Sequence, residues 1–394
     1  MKIAWFANID FQEGNAANSR IRAFAHGLKK NDHQVFLFLL SSTHFNSGGT
    51  NKKNKGFFNG IYFNYLSSSV LRPNSFIGRT FLYQKALFNA CLLLFKKRNY
   101  FDVVLLYNPR LVFFAPIYLF SKILRIPVVI EKTELEASFK SSNPLHKILQ
   151  FTDKLDARFY KYFCKQLIVI SDKLFDHYKV YLPQTIITKI PAVVDLQRFE
   201  DSGKNKNKLF TVGYLGSFAP KDNINGILKA FQKSLNNIPN LKLSLIGYDP
   251  NSQITSKSIN SLKLGPYVNQ TGLIKYDEVA NKLYECDLLL LNRSGDSYSH
   301  YGFPTKLTEY LATGIPVICS NVGNISTYLE HNISAYFVEP DNYEELGTAI
   351  IERYTRYEEF NNLGENGKKM AETYFDHNLF VPVLESILMK ALKK

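Results

Sequence analysis

The chain has 394 residues, 45% of them hydrophobic, and a formal net charge of +14. That length and apolar content support more than one buried core, most simply two domains, and argue against a simple linker module. The charge is unevenly placed: residues 1–195 hold 27 Lys and Arg against 12 Asp and Glu, a balance of +15, whereas residues 196–394 hold 21 against 22, a balance of −1.

The opening MKIAWFANIDF is too short and too polar for a signal peptide. The longest apolar stretches, LVFFAPIYLF and ALFNACLLLF, fall well below the ~20 residues a spanning helix needs. A cytosolic chain is therefore expected. Strands are predicted at KIAWFAN, QVFLFLL, VVLLYN, PVVIE and QLIVIS, with helical patterns such as NSRIRAFAHGLKKN between them. After the first strand, Gly14 and Asn15 lie in a small-residue loop that brings a ligand close to amides at a helix start, or else makes an ordinary tight turn. It lacks the three glycines of a dinucleotide fingerprint. The cysteines, Cys91, Cys164, Cys286 and Cys319, are scattered without any C-x-x-C, which suggests buried thiols rather than disulfides or a zinc site. The basic charge of this half suits an anionic partner, or reflects a Lys- and Asn-rich composition, and no nucleic-acid motif accompanies it.

Polar EDSGKNKNK, residues 200–208, marks the expected domain boundary. A second series of strands follows at TVGYLGS, KLSLIGY, VNQTGL, DLLLLN, PVICS and SAYFV, again separated by helical segments such as NINGILKAFQKSLNN. Alternation of this kind implies parallel sheets with helices on both faces, built twice. Ligands of such sheets bind beyond the carboxyl ends of the strands. There, Gly216 ends a strand and Lys221 sits just before a helix expected from about Asn223, as a phosphate-binding cation or a solvated lysine.

In YGFPTKLTEYLATGIPV, residues 301–317, Gly302 and Pro304 form a turn, Thr305 is the expected N-cap, and Gly314 with Pro316 ends the helix. Leu307, Tyr310 and Leu311 make the stripe that anchors it. Lys306 and Glu309 then lie near the positive end, where free amides from Thr305 to Leu307 suit a diphosphate and Glu309 suits a ribose diol. The other reading is an i, i+3 surface ion pair worth a few tenths of a kcal/mol.

The order of these segments resembles the group 1 nucleotide-sugar glycosyltransferases, glycosyltransferase family 4. The resemblance runs through GNAANSRIRAFAHGLKKNDHQV, LIVISDKLFDHY, KIPAVVDLQRF, YLGSFAPKDNINGILKAF, LSLIGYDP, VNQTGLIKYDEVANKLYECDLLLLN, YGFPTKLTEYLATGIPVICS and FDHNLFVPVLESILMKAL. It implies the GT-B fold: α/β, with two doubly wound, Rossmann-like parallel-sheet domains facing a cleft. These would be an acceptor-binding domain over 1–195, a donor-binding domain over 196–375, and a helix over 376–394 packing back toward the first. It further implies that Glu309 binds the donor ribose, that the turn Pro304, Thr305, Lys306 and Leu307 binds the diphosphate, that Gly216 and Lys221 approach the same phosphates, and that Ser217, Gly247, Arg293 and Phe303 belong to the donor site. The segment from Thr271 through Leu273 and Ile274 would contact the base. On the acceptor side, the strand PVVIE ends in EKTELEAS, where Glu131 and Glu134 sit at the expected cleft floor, as carboxylates orienting an acceptor hydroxyl or as solvated loop charges.

This sequence departs from the family pattern at two positions. Tyr301 stands where a paired Glu, eight residues before Glu309, is common, and Ser217 stands where an arginine is frequent, with Lys221 one residue early. Lys306, or else Arg293, is then the substitute cation. The activity implied is retaining transfer from a UDP- or GDP-sugar to a glycan or lipid-diphosphate-linked acceptor, with no cofactor and no metal, in bacterial surface polysaccharide assembly. The alternative is a degenerate member that binds a nucleotide-sugar or a partner enzyme without transfer. Aromatic and basic residues mingle from LRPNSFIGRTFLYQKALF through CLLLFKKRNYF to YNPRLVFFAPIYLFSKILRIP, which suits peripheral contact with an anionic membrane at its inner face and a salt-sensitive attachment.

Overall fold

The computed structural model describes residues 1–11, 16–41, 51–135, 144–200, 209–218, 220–248, 253–356 and 360–393. Gly14, Asn15 and most of the expected boundary at 200–208 lie outside the described residues. The chain divides into two units, Met1–Pro191 with His377–Lys394, and Ala192–Asp376.

The first unit contains β1 Lys2–Ala7, β2 Gln34–Leu39, β3 Lys55–Phe58, β4 Ile61–Tyr65, β5 Val103–Tyr107, β6 Val128–Lys132, β7 Cys164–Val169 and β8 Ile186–Lys189. They form one sheet in the order β3-β4-β2-β1-β5-β6-β7-β8. All neighbours run parallel except β3 and β4. β5 and β6 are buried along their whole length, because a parallel strand covered on both faces meets no solvent. Two features go beyond the sequence expectation. The β3–β4 hairpin turns on Asn59-Gly60, both with positive φ (48° and 76°), the pair favoured in a two-residue hairpin turn. β8 adds a short edge strand.

The last helix, His377–Leu392, belongs to this unit. It packs on helix Ala16–Lys30 at Gly27, where any side chain would run into Val381. Glu385 accepts hydrogen bonds from Asn31 at 2.9 Å and from His33 at 3.0 Å.

The second unit contains β9 Thr211–Gly216, β10 Lys242–Gly247, β11 Val268–Gly272, β12 Leu288–Leu291, β13 Val317–Ser320 and β14 Tyr336–Val338. Their order is β11-β10-β9-β12-β13-β14, all parallel. The winding direction reverses between β9 and β12, the switch point at whose carboxyl edge sheets of this kind bind ligands. Val212, Tyr214, Leu243, Leu245, Leu288 and Leu290 meet Ile227, Leu228 and Phe231 of helix Ile224–Leu235 in the core below it. The ends of the unit are joined by a 2.8 Å backbone bond from Val194 N–H to the Phe375 carbonyl.

Candidate active site

The carboxyl edge of the second unit's sheet carries three glycines in register, Gly216 on β9, Gly247 on β10 and Gly272 on β11. Gly247 has φ +129°, and a Cβ there would collide with the Gly216 carbonyl. At Gly216 a Cβ would lie 2.5 Å from both Lys306 Nζ and the Tyr214 hydroxyl. These positions need glycine because backbone and cation occupy the space of a side chain, which leaves main chain open to a ligand.

Lys306 sits in the first turn of helix Thr305–Thr313. Its Nζ donates to Asp222 Oδ2 at 2.7 Å and to the Tyr214 hydroxyl at 2.9 Å, while Tyr214 donates to the same Asp222 oxygen at 2.9 Å. Asp222 closes a 3-10 turn, Pro220–Asp222, in the loop after β9, and is 2% exposed. Burial pushes its carboxyl up, but Lys306, Arg293 and Lys221 outweigh this and hold it below the usual carboxylate range. For Lys306, burial lowers the ammonium from its ordinary value against the opposing pull of Asp222. Together these make an ionised pair inside the protein.

Arg293 follows β12, on the other side of the switch point, and is 4% exposed, with an Nε that has no hydrogen-bond partner among the described residues. Its own N–H donates to Ser320 Oγ at 3.0 Å. The loops after β9 and β12 are tied by Asn292 Nδ2 to the Asn223 carbonyl at 3.0 Å and by Ser294 N–H to the Lys221 carbonyl at 3.1 Å. Thus Lys306, Lys221 and Arg293 gather around one buried aspartate at the point where strand order reverses.

Glu309 takes a different partner. Arg198 Nη1 donates to Glu309 Oε1 at 2.8 Å and Nη2 to the Tyr276 carbonyl at 2.8 Å, with the guanidinium 3.5 Å from the Tyr276 ring centroid. Arg198 is thereby raised above its ordinary value: burial lowers it, but Glu309 and Tyr276 prevail. The i, i+3 surface ion pair, the other reading of Lys306 and Glu309, does not form: Lys306 meets Asp222 in the loop after β9, and Glu309 meets Arg198.

Thr305 is not the N-cap. Pro304 holds that position with φ −73° and caps with no side chain; Thr305 is the first helical residue, and its carbonyl accepts from Thr308 Oγ1 at 2.7 Å. Proline's fixed φ suits entry into a helix. No side chain caps the first turn, but the Leu307 N–H donates to the Pro304 carbonyl at 3.0 Å and so is not free as expected, which leaves the Thr305 and Lys306 amides for a ligand. Gly314 ends the helix at φ +71°. Phe303, against Tyr328 and Phe375, and Leu307, wholly buried, are packing side chains, so only their backbone faces a ligand role. Leu273 is exposed and Ile274 half-buried just past Gly272, while Ser217 is half-buried just past Gly216.

In the first unit, Glu131 belongs to β6 rather than to the loop beyond it. Its Oε1 accepts from Arg20 Nε at 2.7 Å, and Arg20 also donates to the carbonyls of Pro191 at 2.5 Å and Ile190 at 3.1 Å. A carboxylate that is 2% exposed and paired in this way is a structural tie, which overturns the reading of Glu131 as a solvated loop charge. Glu134 lies beyond the strand and is half-buried. Among the described residues there is no cluster of three or more His, Cys, Asp or Glu able to hold a metal ion.

Asp222, Tyr214, Arg198 and Tyr276 were not predicted. The sequence signal nearest to them was Asp222 next to Lys221 and the DLQRF segment, whose partners stand 84 and 111 residues away.

A family model described as Glycosyl transferases group 1 matches residues 196–370. The chain is 25% identical over 180 residues to an N-acetyl-alpha-D-glucosaminyl L-malate synthase from Bacillus anthracis, covering 46% of this chain and 45% of that protein. It is 24% identical over 224 residues to an alpha-monoglucosyldiacylglycerol synthase from Acholeplasma laidlawii, covering 54% of each. The chain thus spans about half the length of the curated relatives it matches. The crystal structure of Anabaena Alr3699/HepE in complex with UDP-glucose superposes with a TM-score of 0.72 at 15% identity, over 99% of this chain and 100% of that one. At that identity the likeness establishes the fold.

Proposed function

We propose that this chain, whose residues 196–370 match a model described as Glycosyl transferases group 1 and which has the GT-B fold, moves a sugar from a nucleotide-sugar donor, UDP- or GDP-linked, to a glycan or lipid-diphosphate-linked acceptor. The observation that carries this reading is the cation set around Asp222 at the switch point, beside uncapped helix amides and a glycine-lined strand edge. Breaking a sugar–diphosphate bond builds positive charge on the sugar and negative charge on the leaving group. Fixed cations and amides already in place stabilise that charge without reorganisation.

In this reading the first-turn amides and Lys306 receive the diphosphate, and Arg293 and Lys221 extend the positive field. Glu309 accepts from the ribose hydroxyls, and Leu273 and Ile274 border the base. The sugar leaves and is replaced on the same face, with retention, and the cations need no metal ion to assist them. The acceptor is drawn from the inner face of the membrane during assembly of a surface polysaccharide. Support for a lipid acceptor comes from the basic first half and from the relative named for a glucosyldiacylglycerol product.

The test is transfer kinetics. Lys306→Ala is expected to slow turnover more than it weakens donor binding, because leaving-group charge grows in the transition state. Equal losses in binding and rate remove Lys306 from that role. Tyr301 and Ser217 favour a second reading, a nucleotide-sugar binder without transfer. Slow release of nucleoside diphosphate by the purified protein supports the enzyme, and tight donor binding with no turnover supports the binder.

A further inference from the structure

Helix Phe76–Lys96 of the first unit faces two ways. Ala86, Leu87, Ala90 and Leu94 are buried in the unit, and the Tyr83 hydroxyl donates to the Phe113 carbonyl at 2.7 Å. On the opposite side Ile77 is 81% exposed, Phe81 and Phe88 are each 68% exposed, and Leu92 and Phe95 are exposed as well. At 100° per residue these five fall within about 60° of one another, a single ridge about 30 Å long. Lys85 and Lys96 are exposed along its border. The neighbouring helix Leu111–Ile123, which packs against it, also turns Leu119 and Ile123 outward.

A ridge of large apolar side chains held out in water is unfavourable unless something covers it. The charge around it says what kind of cover fits. The helix and its immediate flanks, residues 72–98, contain six Lys and Arg and no Asp or Glu. A second copy of this face would bring like charges together, whereas an anionic lipid surface takes both the cations at headgroup level and the rings among the acyl chains. No helix among the described residues is long and apolar enough to cross a membrane, so contact here is with one leaflet.

We infer that helix Phe76–Lys96 is the membrane-docking element of this protein, inserting Ile77, Phe81, Phe88, Leu92 and Phe95 as a row into an anionic leaflet. The inference rests on the reading of a membrane-borne acceptor and assigns that contact to one helix face. It also alters the expected salt response. Screening weakens the lysine contribution but leaves apolar insertion in place, so high salt reduces attachment without abolishing it.

The experiment is flotation of the full chain with phosphatidylglycerol/phosphatidylcholine vesicles, comparing wild type, the double variant Phe81→Ser with Phe88→Ser, and Phe57→Ser. Phe57 is 70% exposed but lies on β3, away from the helix. The expected result is that wild type and Phe57→Ser float, while the double variant loses partitioning by about tenfold or more. A Phe88→Trp variant supplies a second readout, a blue-shifted emission quenched by brominated lipid over the constant background of wholly buried Trp5. If wild type and the double variant float equally, the helix assignment is overturned while membrane contact stands. If wild type stays in the soluble fraction, the membrane reading fails and the inference with it. A concentration-dependent dimer that the double variant abolishes, without vesicle binding, makes a second copy the occupant and also overturns it.

Discussion

Lys306 and Glu309 stand three residues apart on one helix, yet each is committed elsewhere: Lys306 to Asp222 and Tyr214, Glu309 to Arg198. Glu309→Ala removes a charge-assisted acceptor and is expected to weaken nucleotide-sugar binding by roughly 1.5–3 kcal/mol in a folded variant, read by calorimetry. Unchanged donor affinity contradicts the ribose role. Asp222→Asn leaves the buried Lys306 ammonium without its counter-charge. Removal of one partner from a buried pair costs on the order of 3–5 kcal/mol, and the 16% exposure of the Lys306 side chain places this case toward the low end. The urea midpoint measures it, and a loss below about 1 kcal/mol contradicts the pairing. Because the folded Asp222 carboxyl lies below its ordinary range, its contribution is complete above that range and is lost as pH falls through the lower folded value.

At the scale of elements, helix Leu111–Ile123 has no cap from its own N-cap residue, Arg110; Leu111 N–H instead donates to Asp156 Oδ1 at 2.6 Å, from helix Pro144–Tyr160. Burial pushes the Asp156 carboxyl up to about 6, against the pull of Lys132 and the Leu111 bond. The native chain therefore binds more protons than the unfolded chain between about pH 4 and pH 6. Stability falls as pH rises through that window and is level above it, by up to about 3 kcal/mol for this group. The slope of the wild-type urea midpoint against pH should flatten in Asp156→Asn; identical slopes contradict the assignment. The β3–β4 hairpin went unread, although its Asn59-Gly60 pair is a local turn signal. The Asp156 cap carries no such signal, because helix and carboxylate are 45 residues apart.

For the molecule as a whole, alternating apolar runs and amphipathic stretches were enough to determine two parallel α/β sheets, since strand and helix periodicities are carried by neighbouring residues. The glycines, prolines and charges at the ends of β9 and of helix Thr305–Thr313 were likewise legible as chain punctuation, and Gly314 ends that helix as expected. Tertiary structure alone decided which charges act together. The strand order β11-β10-β9-β12-β13-β14 brings the loops after β9 and β12 beside Thr305–Thr313, and only then do Asp222 and Lys306 meet. The same holds for Glu131: its burial against Arg20 follows from β6 lying next but one to β1, whose following helix carries Arg20. Exposure of the ridge on helix Phe76–Lys96 was decided there too, because an apolar-rich sequence cannot show which of its faces the rest of the fold will cover.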